Sequence, residues 1–179
     1  MADAVDSKAE RSYAWGPSSA FGLAIALLAC VIDQAAKLWL LLVFDLARRA
    51  PAAVAPFFDL VLTWNTGISY GLLPQQGTLG GWVLLAFKAF IVVLLWIWLA
   101  RAQSRLTAAA LGLIIGGALG NAIDRLHWPG VLDFVLFHVE TAAWSFRWYV
   151  FNFADVVIVA GVLGLLYDSA SGRDAAKAP

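Results

Sequence analysis

The sequence predicts an all-α membrane protein, a bundle of four transmembrane helices with a small β-sheet outside the lipid. Hydrophobic residues make up 62% of the 179-residue chain, charged residues make up 13%, and nine tryptophans are present. These proportions are typical of a protein with several membrane spans and not of a water-soluble core. Apolar stretches of membrane-spanning length alternate with polar segments, and one of those segments has the composition of a strand.

Four apolar stretches are the predicted transmembrane helices. They cover residues 20–44, 80–100, 106–122 and 152–167. A helix rises about 1.5 Å per residue, so about 20 apolar residues cross a hydrocarbon core about 30 Å thick. The last two stretches are at the short end of that range. Residues 20–168 are therefore expected to form a single membrane-embedded domain.

The segments between the spans, residues 45–79 and 123–151, are predicted to lie outside the lipid. Phe57–Asn65 is rich in aromatic and β-branched residues and is followed by the turn signal Asn65-Thr66-Gly67, which predicts a short strand and a reversal. A strand cannot face lipid, because its backbone polar groups would stay unsatisfied. We therefore expect a small sheet at the membrane surface.

The second of these segments has the residues of a turn and of a membrane interface. It carries Pro129-Gly130 and, further along, Trp144, Trp148 and Tyr149. Tryptophan and tyrosine are enriched at the level of the lipid headgroups. This segment is therefore expected to form a second extramembrane hairpin close to the bilayer.

Both ends of the chain are polar, and residues 1–19 and 169–179 are predicted to be tails, the second of them disordered. Four spans place both tails on the same side of the membrane. The tails and the 101–105 turn hold six lysines and arginines, whereas the loops on the other side hold four. The positive-inside rule therefore predicts cytoplasmic tails, with segments 45–79 and 123–151 on the outer side.

Charge, cysteine and histidine content exclude several classes of function. The formal net charge is zero and the basic residues are scattered, so no nucleic-acid partner is expected. Cys30 is the only cysteine, which excludes an intrachain disulfide and a Cys-based metal site. The two histidines, His127 and His138, have no nucleophile motif near them, and no HExxH motif occurs. Neither Ser-His or Cys-His catalysis nor a zinc peptidase is therefore expected.

Two features of the spans are interpreted as structural. Asp33 and Lys37 are four residues apart, so their opposite charges meet on one helical face and can compensate each other in the membrane. Gly112, Gly116 and Gly120 repeat every four residues along one face of the third span. Small residues in such a stripe let two helices approach closely, which predicts a packing role.

Polar residues at the outer ends of the third and fourth spans form the candidate functional site. On a helix, residues three and four apart share a face, so each set below is directed to one side. The sets are Asn121, Asp124 and Arg125 in one helix, and Asn152 and Asp155 in the other. Asp133 lies in the connecting hairpin and could fold back over the same place.

The carboxylates Asp124, Asp133 and Asp155 are candidates for a pair that shares one proton. In such a pair one carboxylate acts as a base toward water while the other donates to a carbonyl group, which is the chemistry of aspartic hydrolysis. Pairs of intramembrane aspartates are about as plausible in proton-coupled transporters as in proteases. Proton-coupled transport is therefore an alternative function. A non-catalytic scaffold that packs through the glycine stripe is a third interpretation. Spacing alone does not select two of the three carboxylates.

Five short motifs are spread over the chain from the first span to the fourth. They are Asp33-Gln34-Ala35-Ala36-Lys37, Asn65-Thr66-Gly67-Ile68-Ser69-Tyr70-Gly71, Gly120-Asn121-Ala122-Ile123-Asp124-Arg125, Val131-Leu132-Asp133-Phe134 and Phe151-Asn152-Phe153-Ala154-Asp155. Each motif is short, but five in one order are hard to obtain by chance. Together they resemble the bacterial lipoprotein signal peptidases, the signal peptidase II family, and only the tails fall outside the resemblance.

The resemblance implies an aspartic endopeptidase of the bacterial inner membrane. Such an enzyme cuts prolipoproteins before the diacylglyceryl-modified cysteine and releases the signal peptide, without a cofactor. The implied fold is a four-helix bundle with a periplasmic β-sheet cradle, and inhibition by the cyclic peptide globomycin is implied as well. The expected partners are lipidated prolipoproteins and the bilayer, and the chain is expected to be a monomer.

The resemblance also assigns site residues by motif. The catalytic pair would be Asp133 and Asp155. The residues that hold the substrate backbone or orient the pair would be Asn65, Asn121, Arg125 and Asn152, and the supporting residues would be Asp124, Asp33, Lys37 and Gly120. The segment between Asp133 and Asp155 is slightly longer, around residues 137–150, than the usual pattern of the family. We expect this loop to affect substrate access more than chemistry.

Overall fold

The computed structural model describes residues 14–66 and 78–171, with side chains from residue 85 onward in the second range. The helices are α1 (Ser19–Leu42), α2 (Leu46–Arg49), α3 (Thr78–Arg101), α4 (Arg105–His127) and α5 (Phe153–Ala170). The strands are β1 (Ala52–Ala55), β2 (Phe58–Asn65), β3 (Val131–Glu140) and β4 (Ser145–Arg147). The remainder of both predicted tails, and the predicted turn beyond Thr66, lie outside the described residues.

Three helices in the described part of the chain are long enough and apolar enough to cross a membrane. They are α1, α4 and α5. Many of their large apolar side chains are exposed, among them Leu28 and Val159, as expected for surfaces that face lipid and not water. Membrane helices combined with a small sheet are therefore confirmed. Helix α3 is a 24-residue helix like α1, and its role as a fourth span remains a prediction.

The glycine stripe of α4 packs on α1, as predicted. A Cβ atom at Gly112 would lie 2.5 Å from the backbone oxygen of Gly22, and one at Gly120 would lie 2.5 Å from Asp33 Oδ2. Gly116 faces the backbone of Ala26 just as closely. Helix α5 packs on the other side of α4, where Gly117 meets the backbone of Ala154. Helix α4 therefore lies between the two helices that carry the other site residues.

The strands form one antiparallel sheet in the order β1-β2-β3-β4. The predicted strand at 57–65 is confirmed as β2, and it pairs with β3 so that Thr63 lies opposite Asp133. Leu132 and Phe134 of β3 are buried in a core that also contains Leu40 at the end of α1. Because this core joins the sheet to the end of α1, β3 is held at the same end of the bundle as the start of α5.

Two predicted helix ends need correction. The third span was expected to end at residue 122, but α4 continues to His127. Its last turns can hold Asp124 in a buried position because Lys37 of α1 neutralises the charge there. At the other end of the bundle α5 reaches Ala170, so the first two residues of the predicted 169–179 tail are helical.

The last part of the predicted N-terminal tail is also packed. The indole nitrogen of Trp96 in α3 donates to the backbone oxygen of Ala14 at 3.0 Å, and the rings of Trp15 and Trp96 lie 5.9 Å apart. Ser19 is fully buried at the start of α1. Contacts with Trp96 therefore hold Ala14 and Trp15 against α3, which the polar composition of the tail did not indicate.

Candidate active site

Asp133 is a buried carboxylate on β3, and two amide side chains hold its two oxygens. Asn65 Nδ2 donates to Oδ2 at 3.1 Å, and Asn152 Nδ2 donates to Oδ1 at 2.6 Å. Asn65 is at the end of β2, and the β2–β3 register brings it beside Asp133. The strand-forming sequences of β2 and β3 therefore position this carboxylate between the sheet and the start of α5.

Asp155 lies in the first turn of α5 and forms a capping box with Asn152. Asn152 Oδ1 accepts from the backbone nitrogen of Asp155 at 3.0 Å, and Asp155 Oδ2 accepts from the backbone nitrogen of Asn152 at 3.1 Å. This reciprocal cap satisfies two orphan donors, and the helix N-terminus favours a negative charge there. Since Asn152 also donates to Asp133, one fully buried residue contacts both carboxylates.

Asn121 connects this pair to the rest of the polar network. Its Nδ2 donates to Asp155 Oδ1 at 3.2 Å, while its Oδ1 accepts from Asn152 Nδ2 and from Lys37 Nζ, both at 3.1 Å. The polar faces of α4 and α5 therefore meet, as the helical spacing predicted.

Lys37 is at the centre of a buried charge cluster. Its Nζ lies 2.8 Å from Asp33 Oδ2 and 2.7 Å from Asp124 Oδ2. The third ammonium proton is used by Asn121. All three charged side chains are at most 3% exposed. The predicted ion pair of Asp33 and Lys37 is thus confirmed, and Asp124 is a second carboxylate on the same cation.

The charge cluster also holds the start of α5. Asp33 Oδ1 accepts from the backbone nitrogen of Ala154 at 2.9 Å, so a carboxylate of α1 satisfies an orphan donor at a helix N-terminus. Asp33 can approach α4 this closely because residue 120 is a glycine. Asp124 Oδ2 accepts from the backbone nitrogen of Leu132 at 3.1 Å, which fixes the residue next to Asp133.

Gln34 belongs to this cluster although no site role was predicted for it. Its Nε2 donates to Asp124 Oδ1 at 2.8 Å and to the backbone oxygen of Gly120 at 3.0 Å. The signal was available in the sequence, because Gln34 lies next to Asp33 and three residues before Lys37. Because Gln34 is neutral and lies between two charged residues, the motif was interpreted from the charges alone.

Arg125 and Lys88 add positive charge near the two carboxylates. Arg125 Nη1 donates to the backbone oxygen of Asn121 at 3.1 Å, and its charge interacts with those of Asp133 and Asp155. Lys88 of α3 is half-buried and interacts electrostatically with Arg125 and Asp155. Lys88 is an isolated lysine in an apolar stretch, and the sequence alone showed no partner for it.

The environment of Asp133 favours its protonated form. Burial is the main cause that raises the pKa of this carboxyl above its usual value, and the negative charge of Asp155 raises it as well. Hydrogen bonds from Asn65 and Asn152 act in the opposite direction because they stabilise the ionised form. A carboxyl that keeps a proton beside a second carboxyl can serve as an acid while the other serves as a base.

Comparisons with known proteins agree on one family. The sequence model of the family described as signal peptidase (SPase) II matches residues 25–171. The lipoprotein signal peptidase of Nitrobacter hamburgensis is 60% identical over 158 residues, which are 88% of this chain and 96% of that protein. A lipoprotein signal peptidase of Rhodopseudomonas palustris is 58% identical over the same shares of both chains.

The fold has solved counterparts as well. A bacterial membrane enzyme determined by the in meso method superposes with a TM-score of 0.67 over 89% of this chain and 93% of that one, at 22% sequence identity. A second bacterial membrane enzyme structure, also determined by the in meso method, has a TM-score of 0.61 over 83% of this chain and 92% of that one, at 21% sequence identity. The structural likeness supports the fold, and the family match with the two relatives supports the assignment: this chain belongs to the signal peptidase II family.

Proposed function

We propose that this protein is an intramembrane aspartic endopeptidase that removes the signal peptide from diacylglyceryl-modified prolipoproteins, with cleavage just before the lipidated cysteine. The observation that carries the proposal is the contact of Asn152 with both Asp133 and Asp155. Membership of the signal peptidase II family supports peptide-bond hydrolysis over the alternative of a proton-coupled transporter.

In this mechanism Asp133 and Asp155 share one proton. The ionised carboxylate takes a proton from a water molecule, whose oxygen attacks the carbonyl carbon of the scissile bond. The protonated carboxyl gives its proton to the carbonyl oxygen, which yields a neutral tetrahedral intermediate. When the carbon–nitrogen bond breaks, the carboxyl that took the water proton gives it to the leaving nitrogen, and a hydroxyl group of the intermediate gives its proton to the other carboxylate, so that the pair again holds one proton. The raised pKa of Asp133 favours this residue as the initial proton donor.

The amide side chains around the pair orient it. Asn65 and Asn152 each hold one oxygen of Asp133, and Asn121 and the backbone of Asn152 hold those of Asp155. Arg125 interacts electrostatically with both carboxylates and is proposed to hold the substrate backbone or the developing negative charge. Because these donors already hold the two carboxylates in place, little energy is needed to reorganise the pair during the reaction.

The supporting residues act through the helices that carry the pair. Asp33, Lys37 and Asp124 join α1 to α4, and Asp33 also holds the first turn of α5. Gly120 makes this approach possible. Their proposed task is to fix the start of α5, and with it Asp155, relative to β3.

The proposed setting is the bacterial inner membrane. Residues 20–168 would form one membrane-embedded peptidase domain with α3 as the fourth span, both tails in the cytoplasm and the sheet on the periplasmic side. Acyl chains bind lipid with about 0.8 kcal/mol per buried CH₂ group. A lipidated substrate can therefore reach the site by lateral diffusion, so a monomer that binds a short peptide segment suffices. Inhibition by globomycin is expected.

The proposal is tested by cleavage of a purified lipidated prolipoprotein. Asp133→Asn and Asp155→Asn should each lower the rate by about 10³-fold or more, because each removes a proton-transfer group without a change of shape. Asp59→Asn is a matched control, since Asp59 pairs with His138 on the sheet, away from the pair. Cleavage by either site variant at the rate of the control would disprove the proposal.

A further inference from the structure

The outer part of the sheet is an amphipathic two-stranded arm. We define the arm as residues 137–148, which include the end of β3, the connecting turn and β4. Val139 lies opposite Phe146, and Glu140 lies opposite Ser145. Side chains alternate between the two faces of a strand, so the arm has an aromatic face and a polar face. The aromatic face contains Phe137, Val139, Trp144, Phe146 and Trp148, and the polar face contains His138, Glu140, Ser145 and Arg147.

The rings of the aromatic face form a continuous series. Trp144 stacks on Phe146 with 5.8 Å between ring centroids and 8° between ring planes, and Phe146 lies 6.0 Å from Trp148. Phe137 and Phe58 extend the series onto β2. Trp144 and Trp148 are 56% and 54% exposed, although Trp144 is stacked on Phe146 and Trp148 has tilted and edge-on contacts with Phe146 and Tyr149. The series is therefore preformed and presents large aromatic side chains outward.

The polar face has the opposite character. Arg147 Nη2 donates to Glu140 Oε1 at 2.9 Å, and both side chains are more than half exposed. Such an exposed ion pair retains most of its hydration. The two faces of the arm thus favour two different environments. The charged face favours water, and the aromatic face favours a semi-polar medium.

The arm is rigidly connected to the catalytic pair. The backbone nitrogen of Trp148 donates to the oxygen of Phe137 at 2.8 Å, and Phe151 exchanges backbone hydrogen bonds with Val135. One strand of the arm therefore continues into Asp133, and the other continues through Phe151 into the cap of α5. Val156 of α5, only a few residues later, is the first of several exposed large apolar side chains of that helix, so a short segment connects the arm to a helix whose surface is suited to lipid.

We propose that the aromatic face of the arm lies in the lipid headgroup layer on the side of the catalytic pair and sets the depth of that pair in the bilayer. Tryptophan is the residue best suited to this layer, because its ring is largely apolar and its N–H group can hydrogen-bond to the interface. Continuity with α5 and the charged opposite face favour lipid over a second protein as the occupant. The role of the arm in setting the depth of the pair, called the depth function below, rests on the proposed peptidase activity. The contact of the arm with lipid does not.

Spin labelling in vesicles tests the lipid contact. In a Cys30→Ala background, a nitroxide is attached at Trp144→Cys or at Ser145→Cys, two adjacent exposed positions on opposite faces. The protein is reconstituted in phosphatidylethanolamine and phosphatidylglycerol. Collisions with oxygen, which partitions into lipid, and with a water-soluble nickel chelate are then compared. We expect oxygen to dominate at position 144 and the nickel chelate to dominate at position 145.

Two results would overturn the lipid contact. Preferential collision of the label at position 144 with the nickel chelate would place the aromatic face in water. Protection of that label from both reagents would mean that protein covers the face. Because labelling needs no catalysis, failure of the proposed peptidase activity would leave these results unaffected.

Cleavage by the Trp144→Ser/Trp148→Ser double variant tests the depth function. We expect a severalfold lower rate than wild type in vesicles and an unchanged rate in detergent micelles, where no bilayer depth has to be matched. Equal relative rates in both media would overturn the depth function. Inactive wild-type protein in both media would instead refute the proposed function.

Discussion

Two groups of carboxylates lie at the same end of the bundle and are held in different ways. Asp33 and Asp124 are bound directly by the ammonium group of Lys37. Asp133 and Asp155 accept hydrogen bonds from neutral amides of asparagine side chains and backbone. A buried cation neutralises the charge of the carboxylates that it contacts, whereas neutral amide donors orient a carboxylate without neutralising it. The difference separates a structural cluster from the proposed reactive pair, which is made of the same residue type.

The largest expected effect on stability is at Lys37. In Lys37→Met two buried carboxylates lose their cation, which should lower the free energy of unfolding by about 3–5 kcal/mol. Arg48→Met is the control, because Arg48 forms an exposed ion pair with Asp45 and should change stability by about 1 kcal/mol or less. Thermal unfolding in detergent measures both. Equal stability of the two variants would remove the distinction between the buried cluster and a surface pair.

A smaller loss is expected at Gly120. In Gly120→Ala the new methyl group would overlap Asp33 Oδ2, so α1 and α4 must separate, at a cost of about 1–3 kcal/mol. Gly164→Ala adds the same group where the nearest neighbour, the Ala110 side chain, is 3.2 Å away. We expect lower thermal stability for Gly120→Ala than for Gly164→Ala. The reverse order would show that the cluster tolerates a wider helix spacing.

The smallest effect is a shift of the pH profile. The proposed mechanism requires one protonated and one ionised carboxyl, so the rate should fall at high pH when the shared proton is lost. The amide of Asn65 lowers the pKa of Asp133 by stabilising the ionised form. Asn65→Ala removes this donor, so the alkaline limb should move to higher pH. A limb that moves to lower pH in a series of cleavage rates would contradict the assigned direction.

Local spacing predicted the contacts that lie within one helix or between matching helix faces. Asp33 and Lys37 were recognisable as an ion pair because one helical turn separates them. The glycine stripe was recognisable as a packing surface, because its period matches one face of a helix. The strand at 57–65 followed from its β-branched and aromatic residues.

Contacts that depend on strand register could not be predicted in the same way. Nine residues separate Asp124 from Asp133, and no helical period relates them. Only the pairing of β2 with β3 brings Asp133 beside Asn65, and only the packing of α1 on α4 brings Asp124 to Lys37. The sequence pattern therefore left three carboxylates open as partners, and the resemblance to a family was needed to choose Asp133. Gln34 could not be assigned a role from the sequence because its partners lie on another helix.

The proposed division of roles is that Asp155 takes part in the reaction and Asp124 holds the surrounding structure. It is tested most directly by measuring cleavage of a lipidated prolipoprotein and thermal unfolding on the same preparations of Asp155→Asn and Asp124→Asn. We predict that Asp155→Asn unfolds close to wild type and has no cleavage above background. Asp124→Asn should be less stable and should still cleave. Cleavage by Asp155→Asn, or a stable but inactive Asp124→Asn, would contradict this division of roles.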